Sequence, residues 1–305
     1  MGGRHATRGA APGADLPVGL AARTTIAAGL DAVGATIGAA RAGREEGIHQ
    51  LRVAMRRTRA ALMLYEDVLP AVVREFEDEL ATLGRAVGAV RDLDVLETAL
   101  VRTGRAIDDK LAAATGTIVG HVREQRAAMH ALALATLDAP RTQRLFDRLG
   151  RLVIARGRVT PPLGAVAARF VRPLVRDFVR AAGRVDESAS PAVLHRARIR
   201  AKRLRYALEA LQGVGGSSTR ELARRLAALQ RLLGDRHDAA TQCAWLAAEM
   251  PTFVGDAEAL VALGAIGEAL RRRGRKLARQ APAACRRATR SKGIAAALRE
   301  LGRAA

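Results

Sequence analysis

The strongest constraint on how this chain folds is that it repeats itself. Residues 48–60 read IHQLRVAMRRTRA and residues 194–206 read LHRARIRAKRLRY, an ungapped alignment at an offset of 146. His49 meets His195, Arg52 meets Arg198, Arg56 meets Lys202, Arg57 meets Arg203 and Arg59 meets Arg205. At the same offset LGRAVGAVRD (83–92) meets LQRLLGDRHD (229–238), which pairs Leu83 with Leu229, Arg85 with Arg231, Gly88 with Gly234 and Asp92 with Asp238. Repetition on this scale predicts two copies of one structural unit. The expected halves are 16–158 and 159–305, following a disordered tail over 1–15 that is Gly, Ala and Pro without an apolar segment.

Each unit reads as helical. Apolar positions recur with a helical period almost throughout, Ala, Leu, Arg and Glu dominate, and no stretch alternates as a strand. Helices are expected near 17–41, 44–69, 71–104, 107–136, 139–158, 163–183, 191–212, 217–235, 238–250, 256–280 and 289–303. The breaks fall at Pro70, Pro140, Pro161-Pro162, Ser190-Pro191, the GVGGSS stretch 213–218 and Pro251. The fold class is therefore all-α: two pseudo-symmetric helical bundles from one internal repeat. If they pack about a pseudo-twofold axis, their equivalent helices face a shared groove.

The repeated helix carries two organised faces. At about 100° per residue, Arg52, Arg56 and Arg59 fall at i+3, i+7 and i+10 from His49, a stripe about 15 Å long. Ile48, Leu51, Met55 and Leu62 fall together elsewhere and make a core face. A solvated face normally mixes signs to gain i,i+4 pairs, whereas like charges at that spacing cost a few tenths of a kcal/mol each. Here the repulsion is uncompensated within the helix, and an anionic ligand would compensate it. The whole chain leans the same way: 51 Lys+Arg stand against 30 Asp+Glu, for a net charge of +21. Only Lys110, Lys202, Lys276 and Lys292 are lysine. Such a balance favours polyanions, namely nucleic acid, polyphosphate or an acidic membrane surface.

Other chemistries find less support. Cys243 and Cys285 are too few for a disulfide framework and lack metal-ligand spacing, which fits a reducing cytoplasm. The apolar stretch to Ala40 contains Arg23 and Asp31 and is a poor membrane span, so no membrane insertion is expected. His237-Asp238 imitates a metal-binding dipeptide, but its repeat partner is Arg91-Asp92 and no second His cluster accompanies it. Asp92 and Asp238 read instead as helix caps or as acids that orient arginines across the bundle. Glu75, Glu77 and Glu79 in EFEDEL imitate the alternating glutamates of a triphosphatase, but the surrounding period is helical. Neither a Ser-His-Asp array nor a Gly-rich nucleotide cradle is evident, so an enzyme, a metal or a cofactor is not expected. His49 and His195, crowded by cations, read as phosphate donors and not as general bases. A second basic region, Arg271 to Lys292, reads equally as an extension of a polyanion surface or as a solvated row.

With these residues in view the chain resembles the CHAD domain family, whose pattern sets basic residues at +3, +7, +8 and +10 from a His. The pattern occurs twice, as HQLRVAMRRTR and HRARIRAKRLRY, each followed by a G-x-x-x-D segment, and the likeness covers nearly everything beyond the tail. The resemblance implies two pseudo-symmetric helical bundles, binding of inorganic polyphosphate and association with polyphosphate granules. It also implies a binding set of His49, Arg52, Arg56, Arg57 and Arg59 with His195, Arg198, Lys202, Arg203 and Arg205. There is one departure: Asp94 follows Asp92, while its counterpart in the second half is Ala240.

Physical chemistry points to the same ligand. Polyphosphate is a flexible, charge-dense chain without bases, so it rewards an extended basic surface. Arginine forks bind its oxygens bidentately at about 1.5–3 kcal/mol per charge-assisted contact. The nearest rival is a nucleic-acid binder, opposed by only eight aromatic residues and by Gln50 as the one amide in the first motif helix. Non-specific phosphate affinity for DNA or RNA stays open. A polyphosphate phosphohydrolase is the more distant rival.

Overall fold

The computed structural model describes residues 11–108, 111–155 and 160–303. Among these residues the chain forms ten α-helices. They are α1 (Val18–Arg41), α2 (Glu45–Leu64), α3 (Val73–Ile107), α4 (Ala112–Asp138) and α5 (Pro140–Ile154). After them come α6 (Leu163–Ala182), α7 (Pro191–Ala210), α8 (Ser217–Glu249), α9 (Ala257–Ala288) and α10 (Ser291–Arg303). Helices α2 and α7 are both 20 residues long, and their bounds differ by the repeat offset. No described helix is long and apolar enough to cross a membrane.

Local chemistry sets the helix ends. Ser190 caps α7 by accepting from the Val193 amide, with Pro191 at the first helical position, where its missing N–H costs nothing. Asp256 caps α9 by accepting from the Ala259 amide at 2.9 Å. The turn between α1 and α2 needs Gly43, whose φ is +71°. The start of α8 is capped from a distance. Glu300 of α10 accepts from the amides of Gly216, Ser218 and Thr219 and from the Thr219 hydroxyl. Burial pushes the Glu300 carboxyl up, but the hydrogen bonds from Ser218 and Thr219 together outweigh it and hold the pKa at about 2.

Each half packs in chain order, α1 on α2 on α3 on α4 and α6 on α7 on α8 on α9. Helix α5 closes on α1, and α10 closes on α6 and α8. The core face expected of α2 is buried: Ile48, Leu51, Met55 and Leu62 are each no more than 2% exposed. One apolar core lies wholly in the first half, around Phe76, Leu80, Leu145 and Leu149. The other two draw on both halves. Val18, Ala22 and Tyr65 join Phe178, Leu204 and Leu226, while Leu100 and Ile118 join Leu263 and Ile266. The halves therefore share cores, which fixes how α2 and α7 meet.

Three expectations need correction. The tail does not extend to residue 15: Pro12 is buried, and Ala14 and Leu16 accept from the Gly164 and Leu163 amides at 2.9 and 2.8 Å. Unpaired backbone groups beside a core find partners there, tying 11–17 to the opening of the second half. Residues 1–10, and the expected boundary at 158/159, lie outside the described residues. The break expected near 236 is absent, because Gly234 lies inside one continuous α8. Helix α9 continues beyond 280 to Ala288 and carries Pro282 within it.

Candidate anion-binding groove

Arg52 sets the geometry. Its guanidinium lies against α3 where Gly88 removes a side chain, so that a Cβ at that position would overlap it. One turn on, Asp92 Oδ1 stands 3.6 Å from Arg52 Nη1. The G-x-x-x-D spacing thus makes a saddle that seats an arginine. In the second half a Cβ at Gly234 would come within 3.9 Å of Arg198 Nε, an ordinary contact. Asp92 and Asp238 lie in mid-helix and cap nothing, which corrects half of that expectation; Asp92 does orient an arginine.

The stripes of α2 and α7 meet. Lys202 of α7 has its pKa pushed down to about 7, first by burial and then by Arg56, Arg198, Arg52 and Arg59. Three of those arginines belong to α2. The Arg56 guanidinium sits over the Tyr206 ring at 5.4 Å, and Arg205 sits over the same ring at 4.8 Å. Both arginines have a buried Nε without a hydrogen-bond partner. Burial, followed by Arg52, Arg205 and Arg57 against an opposing Tyr206 contribution, lowers the Arg56 pKa. Among the described residues no ion pair holds Arg56, Arg198 or Lys202.

Acids flank the centre on the α3 and α8 side, where Asp92 faces Arg52 and Asp238, its carboxyl pushed up first by burial, faces Arg198, and others lie at the margins. Glu77 pairs with Arg59, and Glu209 stands 3.6 Å from Arg205. Arg203 is exposed beside this margin; burial lowers its pKa first, then Arg200, against Glu77. Arg57 is exposed on the outer flank. The expected ten residues therefore divide. Arg52, Arg56, Arg198 and Lys202 form the centre, Arg59 and Arg205 bound it, and Arg57 and Arg203 face solvent.

The two histidines differ. His49 is half-buried, and its pKa is lowered by burial and then by Arg91, which favours the neutral ring. His195 is exposed, with its ring centroid 5.5 Å from that of His237. Position 237 is the repeat counterpart of Arg91, so each motif histidine faces the equivalent place on α3 or α8. Asp94, the unshared acid, is buried and structural. It accepts from Arg126 Nε at 2.5 Å, and Arg126 also donates to the Gly43 carbonyl at 2.8 Å. Ala240 needs no such partner, because Arg272, counterpart of Arg126, pairs with Glu268 of its own helix at 3.3 Å.

The remaining charged motifs resolve locally. Glu75 and Glu79 hold Arg148, and Glu79 also holds Arg141, fastening α5 to α3. Arg271 and Arg275 likewise converge on Glu268, and Arg273 reaches Asp235 at 3.6 Å. The sequence reading missed Tyr206 as a platform shared by both stripes. Its signal was the aromatic ending HRARIRAKRLRY, where the first repeat has Ala60.

The CHAD domain family model matches residues 24–247. Among solved structures the chain is similar to the crystal structure of the CHAD domain from the plant Ricinus communis. The two are 27% identical over 95% of this chain and 98% of that one, with a TM-score of 0.74. It also shares its fold with PptA from Streptomyces chartreusis, at 19% identity over 88% of this chain and 99% of that one, with a TM-score of 0.68. No curated protein matches the sequence.

Proposed function

We propose that this chain, which belongs to the CHAD domain family, binds inorganic polyphosphate in the groove between α2 and α7 without turning it over. One observation carries the reading: half-buried Lys202 lies within electrostatic reach of Arg52, Arg56, Arg59 and Arg198, drawn from both stripes, and among the described residues no carboxylate pairs with it. Such a cluster raises the free energy of the empty fold by mutual repulsion and burial, and a polyanion relieves both. Arginine dominates, so phosphate oxygens are met by bidentate forks. A linear polyanion that spans both stripes gains from every unit it seats, so affinity rises with chain length. The setting that suits this chemistry is the cytoplasm, at polyphosphate granules.

The test is competition between labelled long-chain polyphosphate and duplex DNA or RNA at physiological salt. Polyphosphate should win at equal phosphate concentration, because the groove offers closely spaced cations to phosphate and its two stripes carry no amide to read a base edge inside a duplex. Equal displacement by DNA would replace the proposal with a general nucleic-acid surface. Incubation with magnesium or manganese should release no phosphate; release above that of a heat-denatured sample would make the chain a hydrolase.

A further inference from the structure

Beside the groove lies a second, chemically different space. A cleft of about 460 Å³ opens between α3, α4 and α8, lined by Leu93, Leu96, Met129, Gln242 and Trp245 with Asp92 on its rim. It is largely apolar and spans both halves. Asp92 joins it to the groove, since the same carboxylate stands 3.6 Å from Arg52. Helical spacing explains the junction: Asp92 sits one turn from Gly88, which seats Arg52, and one turn from Leu96, which lines the cleft.

Two features mark the cleft as a recognition site instead of a packing defect. Trp245 is fixed in place, its indole N–H donating to Gln125 Oε1 at 3.0 Å. Gln125 in turn donates to Glu249 at 2.9 Å, and His121 meets Glu249 at 2.8 Å. Gln242 is the opposite case. It is only 7% exposed, yet its amide makes no hydrogen bond among the described residues. Its amide atoms keep access to the cleft while the rest of the residue is buried, so they are free to bind, and their position on an apolar wall beside a fixed indole suits a flat heteroaromatic ring with donor and acceptor on one edge. A glutamine amide meets those of adenine, its N–H on N7 and its carbonyl on the amino group.

We propose that the cleft is a nucleoside subsite, which takes the adenine of a nucleoside oligophosphate whose phosphates lie on Arg52 and Arg198. Asp92, between the two spaces, accepts from the ribose hydroxyls. The proposal rests on the groove reading for its phosphate half, and stands on the cleft alone for its base half.

The test uses the full chain and its single tryptophan, which is Trp245. ATP and inorganic tripolyphosphate are titrated in metal-free buffer, followed by calorimetry and tryptophan emission. Tripolyphosphate is the more densely charged, so electrostatics alone would favour it. The subsite predicts instead that ATP binds about tenfold tighter and shifts Trp245 emission. Gln242→Leu should abolish that advantage while leaving tripolyphosphate binding unchanged, which also shows the variant to be folded. Adenosine, without phosphate, should shift the emission at millimolar concentration. If ATP binds no better than tripolyphosphate and neither ATP nor adenosine moves the emission, the subsite is refuted and the groove reading stands. If no phosphate ligand binds but adenosine shifts the emission, the groove reading fails and the cleft survives.

Discussion

The Arg56 guanidinium of the first half lies 5.4 Å from the centre of the Tyr206 ring of the second half. This contact crosses between the halves and leaves Arg56 Nε buried without a partner. Arg56 is thus held by an aromatic face, with its hydrogen-bonding capacity unspent. Arg56→Met, which keeps much of the volume, should raise the stability of the empty protein by about 1 kcal/mol in urea unfolding, because it removes a crowded cation. The same variant should weaken polyphosphate binding. A loss of stability would show that the ring contact outweighs the repulsion.

Lys202 gives the groove a pH response. Its folded pKa of about 7 lies well below the usual lysine value. Between pH 7 and about 10.5 the unfolded chain therefore binds more protons at this residue, so its contribution makes the empty protein more stable as pH rises through that window. Binding runs the other way. Bound phosphate favours the protonated amine, so complex formation above pH 7 takes up a proton and affinity falls as pH climbs. Calorimetry in buffers of different ionisation enthalpy should record that uptake, and Lys202→Arg should remove it. No uptake in the wild type would place Lys202 away from the ligand.

The two saddle glycines should respond differently to one methyl group. In a helix interior Gly→Ala alone gains about 0.5–1 kcal/mol. Gly234→Ala should show that gain, since its Cβ meets Arg198 at 3.9 Å. Gly88→Ala should lose it, because the methyl displaces Arg52, and should weaken polyphosphate binding by about 1 kcal/mol, or roughly fivefold in Kd. Equal behaviour of the two would mean that Arg52 is not seated on α3.

The helices and the cationic motif were legible because both depend on local pattern. Ile48, Leu51, Met55 and Leu62 are buried where helical spacing places them. Gly88 and Asp92 stood out as a pair, but their purpose depends on Arg52 arriving from another helix. The continuity of α8 through Gly234 was missed, because packing of neighbouring Leu229 and Leu233 outweighs the local cost of glycine. Most hidden were features that depend on how the halves dock: Tyr206 beneath two arginines, and the unpartnered amide of Gln242.

The central claim, one groove built from two equivalent stripes, is tested most directly by titrating long-chain polyphosphate against three charge-deleted variants. These are Arg52→Ala, Arg56→Ala and Arg59→Ala together; Arg198→Ala, Lys202→Ala and Arg205→Ala together; and all six combined. Fluorescence anisotropy gives the affinity, and circular dichroism checks that helicity is kept. Each triple variant should lose a similar binding free energy, and the sextuple variant more than either, because long chains engage both stripes at once. Wild-type affinity in the folded sextuple variant would contradict the account and move binding elsewhere, with the basic row from Arg271 to Lys292 the first place to look.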